Sequence, residues 1–334
     1  MPGITGLRKM QFVPEAVAGT AIAATAIWRG PAGDIEDTRE TVFVEEHTGY
    51  MSGEGRTNVS KLGADYSMPS TEATYEQLLH VLEAGIEMDA APVADGAGPG
   101  KIWSFAMPTT AGKTPQTYTI EAGDNQQAYE MEYSFVREFS LSGDAGDPLM
   151  VDATWEGRQK TSCSFTAALE PIAVHEINMG HATVFIDNSG GTVGGTPVSD
   201  TVLGMNLSVT TGFQGVHTMD SGELYFAFLK QIPPEIELQL TMEYNDTSEA
   251  EYEAWRAETV RQIRIQFTGP ALTNETGTYD NYTLILDMAG KWSDFEILGE
   301  QDGNDIVTGT FRPFYSSTDT LYFEVTLVNE VAAL

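Results

Sequence analysis

Alternation of apolar and polar residues dominates this chain. Residues 130–142, Glu-Met-Glu-Tyr-Ser-Phe-Val-Arg-Glu-Phe-Ser-Leu-Ser, alternate over their whole length, and 236–244, Ile-Glu-Leu-Gln-Leu-Thr-Met-Glu-Tyr, do so more strongly. Period two is the mark of half-buried β-strands. Shorter runs of the same kind fall at 41–44, 57–68, 117–120, 149–155 and 161–169, then at 182–187, 203–210, 263–267, 282–288, 291–298, 306–315 and 321–328. Two segments switch to helical spacing. One opens on Ser70 as its cap, carries Tyr75, Leu78, Leu79 and Leu82 on one face, and stops at Gly85; the other opens on the capping box Ser248-x-x-Glu251 and carries Tyr252 and Trp255. Residues 1–30 read as an extended arm, and 88–115 as a flexible loop around Ala-Asp-Gly-Ala-Gly-Pro-Gly.

The order of elements repeats. Strand, helix, strand, long alternating strand, acidic glycine turn and strand describe the first half. The same order returns from 236 onward, with Gly143–Pro148 and Glu300–Asp305 as the two turns. The expectation is a mainly β chain of two tandem sandwich or barrel domains, each flanked by one α-helix. Their ranges are 31–175 and 176–334, behind the 1–30 arm. At 334 residues the length suits two domains of about 150 residues.

Charge narrows the function classes. The formal net charge is −32, with 24 acids and 11 bases in residues 1–167 against 25 and 6 in 168–334. The acidity is therefore not a disordered tail. Tight binding to nucleic-acid phosphates, which rests on basic patches releasing counterions, is disfavoured. A salt-adapted surface is the competing explanation, since only 7 of the 17 bases are lysines. Cys163 stands alone and excludes an internal disulfide framework. No stretch approaches the roughly 20 apolar residues that span a bilayer. Pro14 and Glu15 interrupt what otherwise imitates a signal peptide at the start. The Asn-x-Ser/Thr matches at Asn58, Asn206, Asn245, Asn274 and Asn281 carry meaning only in a secreted eukaryotic protein.

No catalytic arrangement emerges, and the expectation is a non-enzyme without cofactor or metal. Gly96-x-Gly98-x-Gly100-Lys101 has Asp95 and Ile102 where a phosphate loop needs Gly and Ser or Thr. Ser52, in Gly49–Gly53, is not in a nucleophile elbow. His175 and His181 lack converging ligands for zinc, His47, His80 and His217 stand apart, and Asp302-Gly-Asn-Asp305 lacks the closing Glu of a calcium loop. Paired carboxylates are unavoidable with 49 acids, and Trp155 and Trp255 sit at core-like positions.

Three stretches carry a resemblance. Glu15-Ala-Val-Ala-Gly-Thr-Ala-Ile-Ala-Ala-Thr25 is similar to an E-x-x-x-G-T-A-x-A-A-T start; Tyr50-Met-Ser-Gly-Glu-Gly55 precedes a strand and the Ser70 helix; and Phe139–Gly143 with Leu149–Arg158 forms a closing hairpin. In this order the chain resembles the major tail tube proteins of long-tailed bacteriophages, in a two-domain form. That resemblance implies a virion protein, assembled in the host cytoplasm, that polymerises as stacked rings into a hollow tube through which phage DNA passes without tight binding. Its partners would be further copies of itself, in trimeric pseudo-hexameric rings or alternatively hexameric ones, and the tape measure, tail terminator and distal tail proteins, with no membrane. The acids expected to face the channel are Glu130, Glu132, Asp152, Glu235, Glu237 and Glu243, on the polar sides of long alternating strands. The 1–30 and 88–115 segments would connect neighbours. Three other classes compete: an extracellular adhesin or binding protein, a neck, terminator or baseplate protein of the same fold, and a β-sandwich hydrolase.

Overall fold

The computed structural model describes residues 3–51, 55–219, 222–273, 276–301 and 303–334. Ser52, Gly53, Glu54, Asn274 and Asp302, named above, lie outside the described residues. The first half runs β1 (Lys9–Pro14), β2 (Ala26–Ile27), β3 (Ile35–Asp37), β4 (Glu40–Phe43), β5 (Thr57–Lys61), β6 (Ala64–Glu72), α1 (Leu78–Gly85), β7 (Val93–Ala94), β8 (Lys101–Ala106), β9 (Tyr118–Gly123), β10 (Ala128–Asp144), β11 (Met150–Gly157) and β12 (Lys160–Cys163). The second runs β13 (Ala182–Asn188), β14 (Pro197–Val198), β15 (Val202–Thr210), β16 (Phe213–Val216), β17 (Phe228–Gln231), β18 (Glu235–Glu243), α2 (Asp246–Arg256), β19 (Arg261–Ala271), β20 (Asn281–Gln301), β21 (Asn304–Pro313) and β22 (Phe323–Asn329). The molecule is mainly β, and every strand pairing is antiparallel.

The pairings of the second half reproduce those of the first. β2–β1–β9–β10 is matched by β14–β13–β19–β20. The β10–β12 ladder is matched by β20–β22, and β10–β11–β6–β3 by β20–β21–β18–β15. The hairpin β4–β5 is matched by β16–β17. The halves are not separate bodies: one apolar core extends from Met10 to Val328, β10 pairs with β15, and β8 pairs with β22. The expected boundary at 175/176 falls between β12 and β13.

Two long strands each serve two sheets. β10 pairs with β9 and β12 up to Ser134, then with β11 and β15 from Phe135 onward. The bend lies at Tyr133, whose φ is +53°, beside a register shift between Met131 and Ser134. Such bulges turn a strand. β20 pairs with β19 and β22 up to Gly290, and with β21 from there. A Cβ on Gly290 would lie 2.3 Å from the Arg312 carbonyl oxygen, so only glycine lets the backbones approach there.

The structure corrects several expectations. Segment 1–30 is not a free arm: β1 lies in the sheet with Met10, Phe12 and Val13 buried, and Trp28 is buried too. Segment 88–115 is not a flexible loop. β8 buries Trp103 and Phe105, and the Asp95 carboxylate accepts the backbone amides of Thr278 and Tyr279 at 2.6 and 2.8 Å. β6 continues through Pro69 because the ladder to β11 is interrupted opposite it, between Ala153 and Val151, so its missing N–H is not needed. The first helix therefore starts at Leu78 rather than at Ser70. In the second helix Asn245 is the cap and Ser248 closes the box. Residues 282–298 form one strand rather than two.

Glu15 holds this arrangement at its bend. Its buried carboxylate accepts the Tyr133 amide at 2.8 Å, the Gly19 amide at 2.7 Å, and the hydroxyls of Thr117 and Thr119 at 2.7 and 3.1 Å. Removing one partner of buried charge-assisted bonds leaves the others desolvated and unpaired, at a cost of about 1–3 kcal/mol for each group left unsatisfied. Glu15→Ala is accordingly expected to destabilise the protein by roughly 3 kcal/mol or more. Urea denaturation measures this, and hydrogen exchange should rise first at residues 15–25 and at the bend.

Candidate functional site

The C-terminal halves of β10 and β20 belong to one run of eight strands, ordered β3–β6–β11–β10–β15–β18–β21–β20. One face is apolar and buried: Tyr66, Val151, Leu141, Leu207, Leu238 and Phe311 lie there. The other face follows from the same alternation. Reading across the registers, Asp152, Ser140, Ser208 and Glu237 form one row, and Thr154, Glu138, Thr210 and Glu235 the next. A third row runs Ser142, Asn206, Gln239, Thr310 and Asp294, and a fourth contains Thr241, Thr308 and Glu296. The surface is thus built of hydroxyls, amides and carboxylates.

Of the expected acids, Asp152, Glu235, Glu237 and Glu243 share this face. Glu130 and Glu132 lie on β10 before its bend, in the other sheet. There the Thr161 hydroxyl donates to Glu130 at 3.1 Å and the Gln159 amide to Glu132 at 3.2 Å. Desolvation raises the pKa of Glu132. Asp65, Glu138, Asp144, Glu156, Asp294 and Glu296 belong to the face and were not singled out, although the period-two pattern reaches all of them.

The electrostatics are those of crowded like charges. Asp65 and Glu156 stand directly opposite on β6 and β11. Burial raises both carboxyls, and Asp65 raises Glu156 further; Arg137 works against this. Ser140 donates to Asp152 at 2.5 Å. Bases on the face are few: Arg137, and Lys291 and Arg312 opposite each other on β20 and β21.

At each end the run is open. Beyond Gly290, β20 pairs with β21 alone, and beyond Tyr66, β6 pairs with β11 alone, among the described residues. Among the described residues, no sequence of these ladders returns to its starting strand. Ile297 and Leu298 are exposed near the β20 edge.

A second polar group lies in the core between α1 and β9. The Tyr118 hydroxyl donates to Glu83 at 2.5 Å, and His80 Nδ1 lies 3.2 Å from the same oxygen, with Phe12 edge-on to the imidazole at 4.3 Å. Its composition resembles an acid–base relay, and all three side chains are buried. Desolvation pushes His80 down to about 3 and holds it neutral; it also raises Glu83 and Tyr118. Elsewhere, His175 Nδ1 lies 2.7 Å from Glu76. No cluster of three or more His, Cys, Asp or Glu suited to a metal ion occurs among the described residues. No helix among them is long and apolar enough to cross a membrane.

No protein-family model matches the chain, and comparison with curated proteins finds no match.

Two outcomes follow from the titrating groups. The unfolded chain protonates His80 near 6.5, the folded one only near 3. Between these values the unfolded state binds more protons, so stability falls as pH drops through that window. His80→Gln should remove about one proton, or ~1.4 kcal/mol per pH unit, from that slope in pH-dependent denaturation. Glu83 acts oppositely: its raised folded value favours the native state at low pH, and that contribution is full below 4.5 and lost as pH rises through the higher folded value. On the polar face, Glu156→Gln should stabilise the protein at pH 7 by about 0.2–1 kcal/mol, by relieving a like-charge cross-strand pair. At pH 4 the gain should shrink, since there the wild-type carboxyl is already protonated.

Proposed function

We propose that this chain is a structural protein that assembles in rings, stacked into a hollow tube whose lumen is the hydroxyl-and-carboxylate face, and that it serves as the tail tube of a long-tailed phage. The observation that carries this reading is the eight-strand run with one buried face, one acidic polar face and two unpaired edges. Unpaired strand edges are templates for pairing with another chain. The resemblance of the Glu15–Thr25, Tyr50–Gly55 and Phe139–Arg158 stretches to that family points the same way.

Strand geometry favours three chains per ring. A barrel of eight strands closes around side chains and leaves no channel. Three copies would supply 24 strands. At about 4.8 Å between strands and a tilt of about 40°, these enclose roughly 45–50 Å between backbones, enough for a hydrated duplex. Six copies would double that and lose contact with the cargo. Three chains with a duplicated strand order give a ring with six similar units. The lumen works by repulsion: carboxylates opposite phosphates in a narrow cavity keep the duplex from sticking, and the hydroxyls and amides keep the wall wetted. Tape measure, terminator and distal tail proteins are the partners that such a tube requires.

Negative-stain and cryo-electron microscopy of the purified protein test this. Hollow tubes with three chains per ring are expected; rings of six intact chains would refute the ring size, and absence of tubes would refute the function. In a second measurement, tubes of Glu235→Lys/Glu237→Lys should form normally but retain duplex DNA on sedimentation at low salt and release it at high salt. Wild-type tubes should retain none.

A further inference from the structure

β20 and β3 are the outer strands of the eight-strand run, and each has a counterpart inside it. On β10, Val136, Glu138 and Phe139 lie opposite Trp155, Thr154 and Ala153, with one residue skipped after Val136. On β20, Trp292, Asp294 and Phe295 lie opposite Phe311, Thr310 and Gly309, with one residue skipped after Trp292. β20 therefore stands to β21 as β10 stands to β11, down to the bulge. At the other edge, Ile35 of β3 lies opposite Tyr66, which lies opposite Trp155. Leu207 of β15 holds the same place, opposite Leu238, which lies opposite Phe311. β10 and β15 pair with each other in the middle of the run. Their counterparts β20 and β3 leave the corresponding side without a strand, among the described residues.

The free edges match the internal ladder in backbone and side chain. Thr211 donates its amide to the Arg137 carbonyl, so alternation aims the N–H and C=O groups of Leu207 and Val209 at β10. Thr38 donates to the Gly63 carbonyl on the β6 side, so the corresponding groups of Ile35 and Asp37 point outward. In the single molecule the Ile35 carbonyl accepts the Lys160 ammonium at 2.5 Å, a lysine guard of the kind that shields an exposed edge. The internal ladder sets Glu138 opposite Thr210, Phe139 opposite Val209, Ser140 opposite Ser208 and Leu141 opposite Leu207. Carried to the outer strands, these pairs become Asp294 with Thr38, Phe295 with Asp37, Glu296 with Glu36 and Ile297 with Ile35. Acid with Thr, Phe at the second place and an aliphatic pair at the fourth all recur. Asp37 departs from Val209, and the Arg39 guanidinium beside it, 2.7 Å away, offsets its charge. Leu141 is fully buried, whereas its counterpart Ile297 is 39% exposed for want of a strand beside it.

We propose that residues 294–297 of one copy pair antiparallel with residues 35–38 of the next copy in the same ring, in the register of the β10–β15 ladder, so that each molecule carries within itself the template of its own lateral contact. This rests on the tube reading above and names the contact that closes the ring. The seam lies outside segments 1–30 and 88–115, which are packed into the sheets. Its charge differs from that of the template. Where the internal ladder has Ser140 opposite Ser208, the seam sets Glu296 opposite Glu36, and the row continues through Asp65 and Glu156. Arg137 and Lys61 are the cations that act on Asp65 and Glu156. On the β20 side the row continues through Thr308 and Thr241. Like charges directly opposite destabilise a ladder, so closure between copies works against its own lumen face and is eased by salt.

Disulfide trapping on the full chain tests the seam, with Glu36→Cys/Glu296→Cys in a Cys163→Ser background. Both positions are exposed. In the proposed register they form a non-hydrogen-bonded pair, with Cα atoms about 4.5 Å apart and within reach of a disulfide. Within one molecule they stand at opposite edges of eight strands, roughly 30 Å apart, so any disulfide between them joins two copies. Mild oxidation of the assembled protein should give covalent trimers. Glu36→Cys/Asp294→Cys, two residues out of register, should give none. Tubes without cross-links in the first variant, or equal cross-linking in the second, would overturn the seam and leave the tube reading standing. Wild-type protein that forms neither rings nor tubes would overturn both. A second measurement uses Glu36→Ser/Glu296→Ser, which installs the neutral pair of the internal ladder. It should assemble at about two- to fivefold lower protein concentration than wild type at low salt, and the difference should shrink as salt is raised. An unchanged or higher concentration would overturn the seam.

Discussion

A bend at one residue governs this architecture. Tyr133 is held at positive φ because the Glu15 carboxylate accepts its amide, while the same carboxylate ties down Gly19, Thr117 and Thr119. Without the bend, β10 would continue in the sheet of β9 and β12 and never reach β11 and β15. The bend also positions Arg158, whose guanidinium stacks 4.2 Å over the Tyr133 ring and donates to the carbonyls of Phe226 and Ala227. One buried acid thus connects the N-terminal segment, the shared strand and the segment that leads into β17. It also gives a physical reason for the Glu-x-x-x-Gly spacing at 15–19: Gly19, itself at φ +75°, donates to the acid four residues before it.

Sharing β10 and β20 between sheets is what presents the polar face. β20 buries its first half on both sides, β10 leaves Tyr129, Glu130 and Glu132 half-buried in its own, and each commits its second half to the eight-strand run, which is buried on one side only. The alternation then does the rest, with Ile236, Leu238 and Leu240 inward and Glu235, Glu237 and Gln239 outward. On the tube reading, β20 both contributes to the face that would line the channel and carries one edge for ring closure. Bulges at Trp292/Asp294 and Ile297/Gly299 curve β20 near one such edge, a common feature of barrel rims.

Much of the fold was legible in the pattern. The alternation of β10 and β18, the two helices and the repeated order all have direct sequence signals. What stayed hidden is local and has physical causes. Alternation within Ile102–Ala106 is short and follows a glycine-rich stretch, so β8 reads as loop until β22 supplies its partner. Gly290 looks like a break between two strands, yet it is the point where one strand passes close to the Arg312 carbonyl. Glu130 and Glu132 have the same parity as Glu138 and Ser140, and periodicity says which side a residue faces but not which sheet it is in. Only the bend at Tyr133 separates them, and its cause sits 118 residues away in Glu15. The His80–Tyr118–Glu83 group was equally invisible, because no spacing rule links 80 and 83 to 118.

The two halves share their pairings and differ in what enforces them. Where the first half uses Glu15, the second half has a bidentate ion pair, Arg264 with Asp287, both bonds at 2.7 Å, across β19 and β20. The first half also carries β7 and β8, which have no counterpart among the pairings of the second half and join it through β22. Joining the halves in one chain has a thermodynamic consequence too. The β10–β15 ladder, which would otherwise form between molecules, is satisfied within one, at an effective concentration set by the connecting segment. On the proposed tube, three interfaces would close a ring that needs six between single-unit chains. Each avoided association removes a loss of translational and rotational freedom worth several kcal/mol. On that reading, the repeated layout within one chain would lower the free-energy cost of ring formation without any stronger contact at its edges.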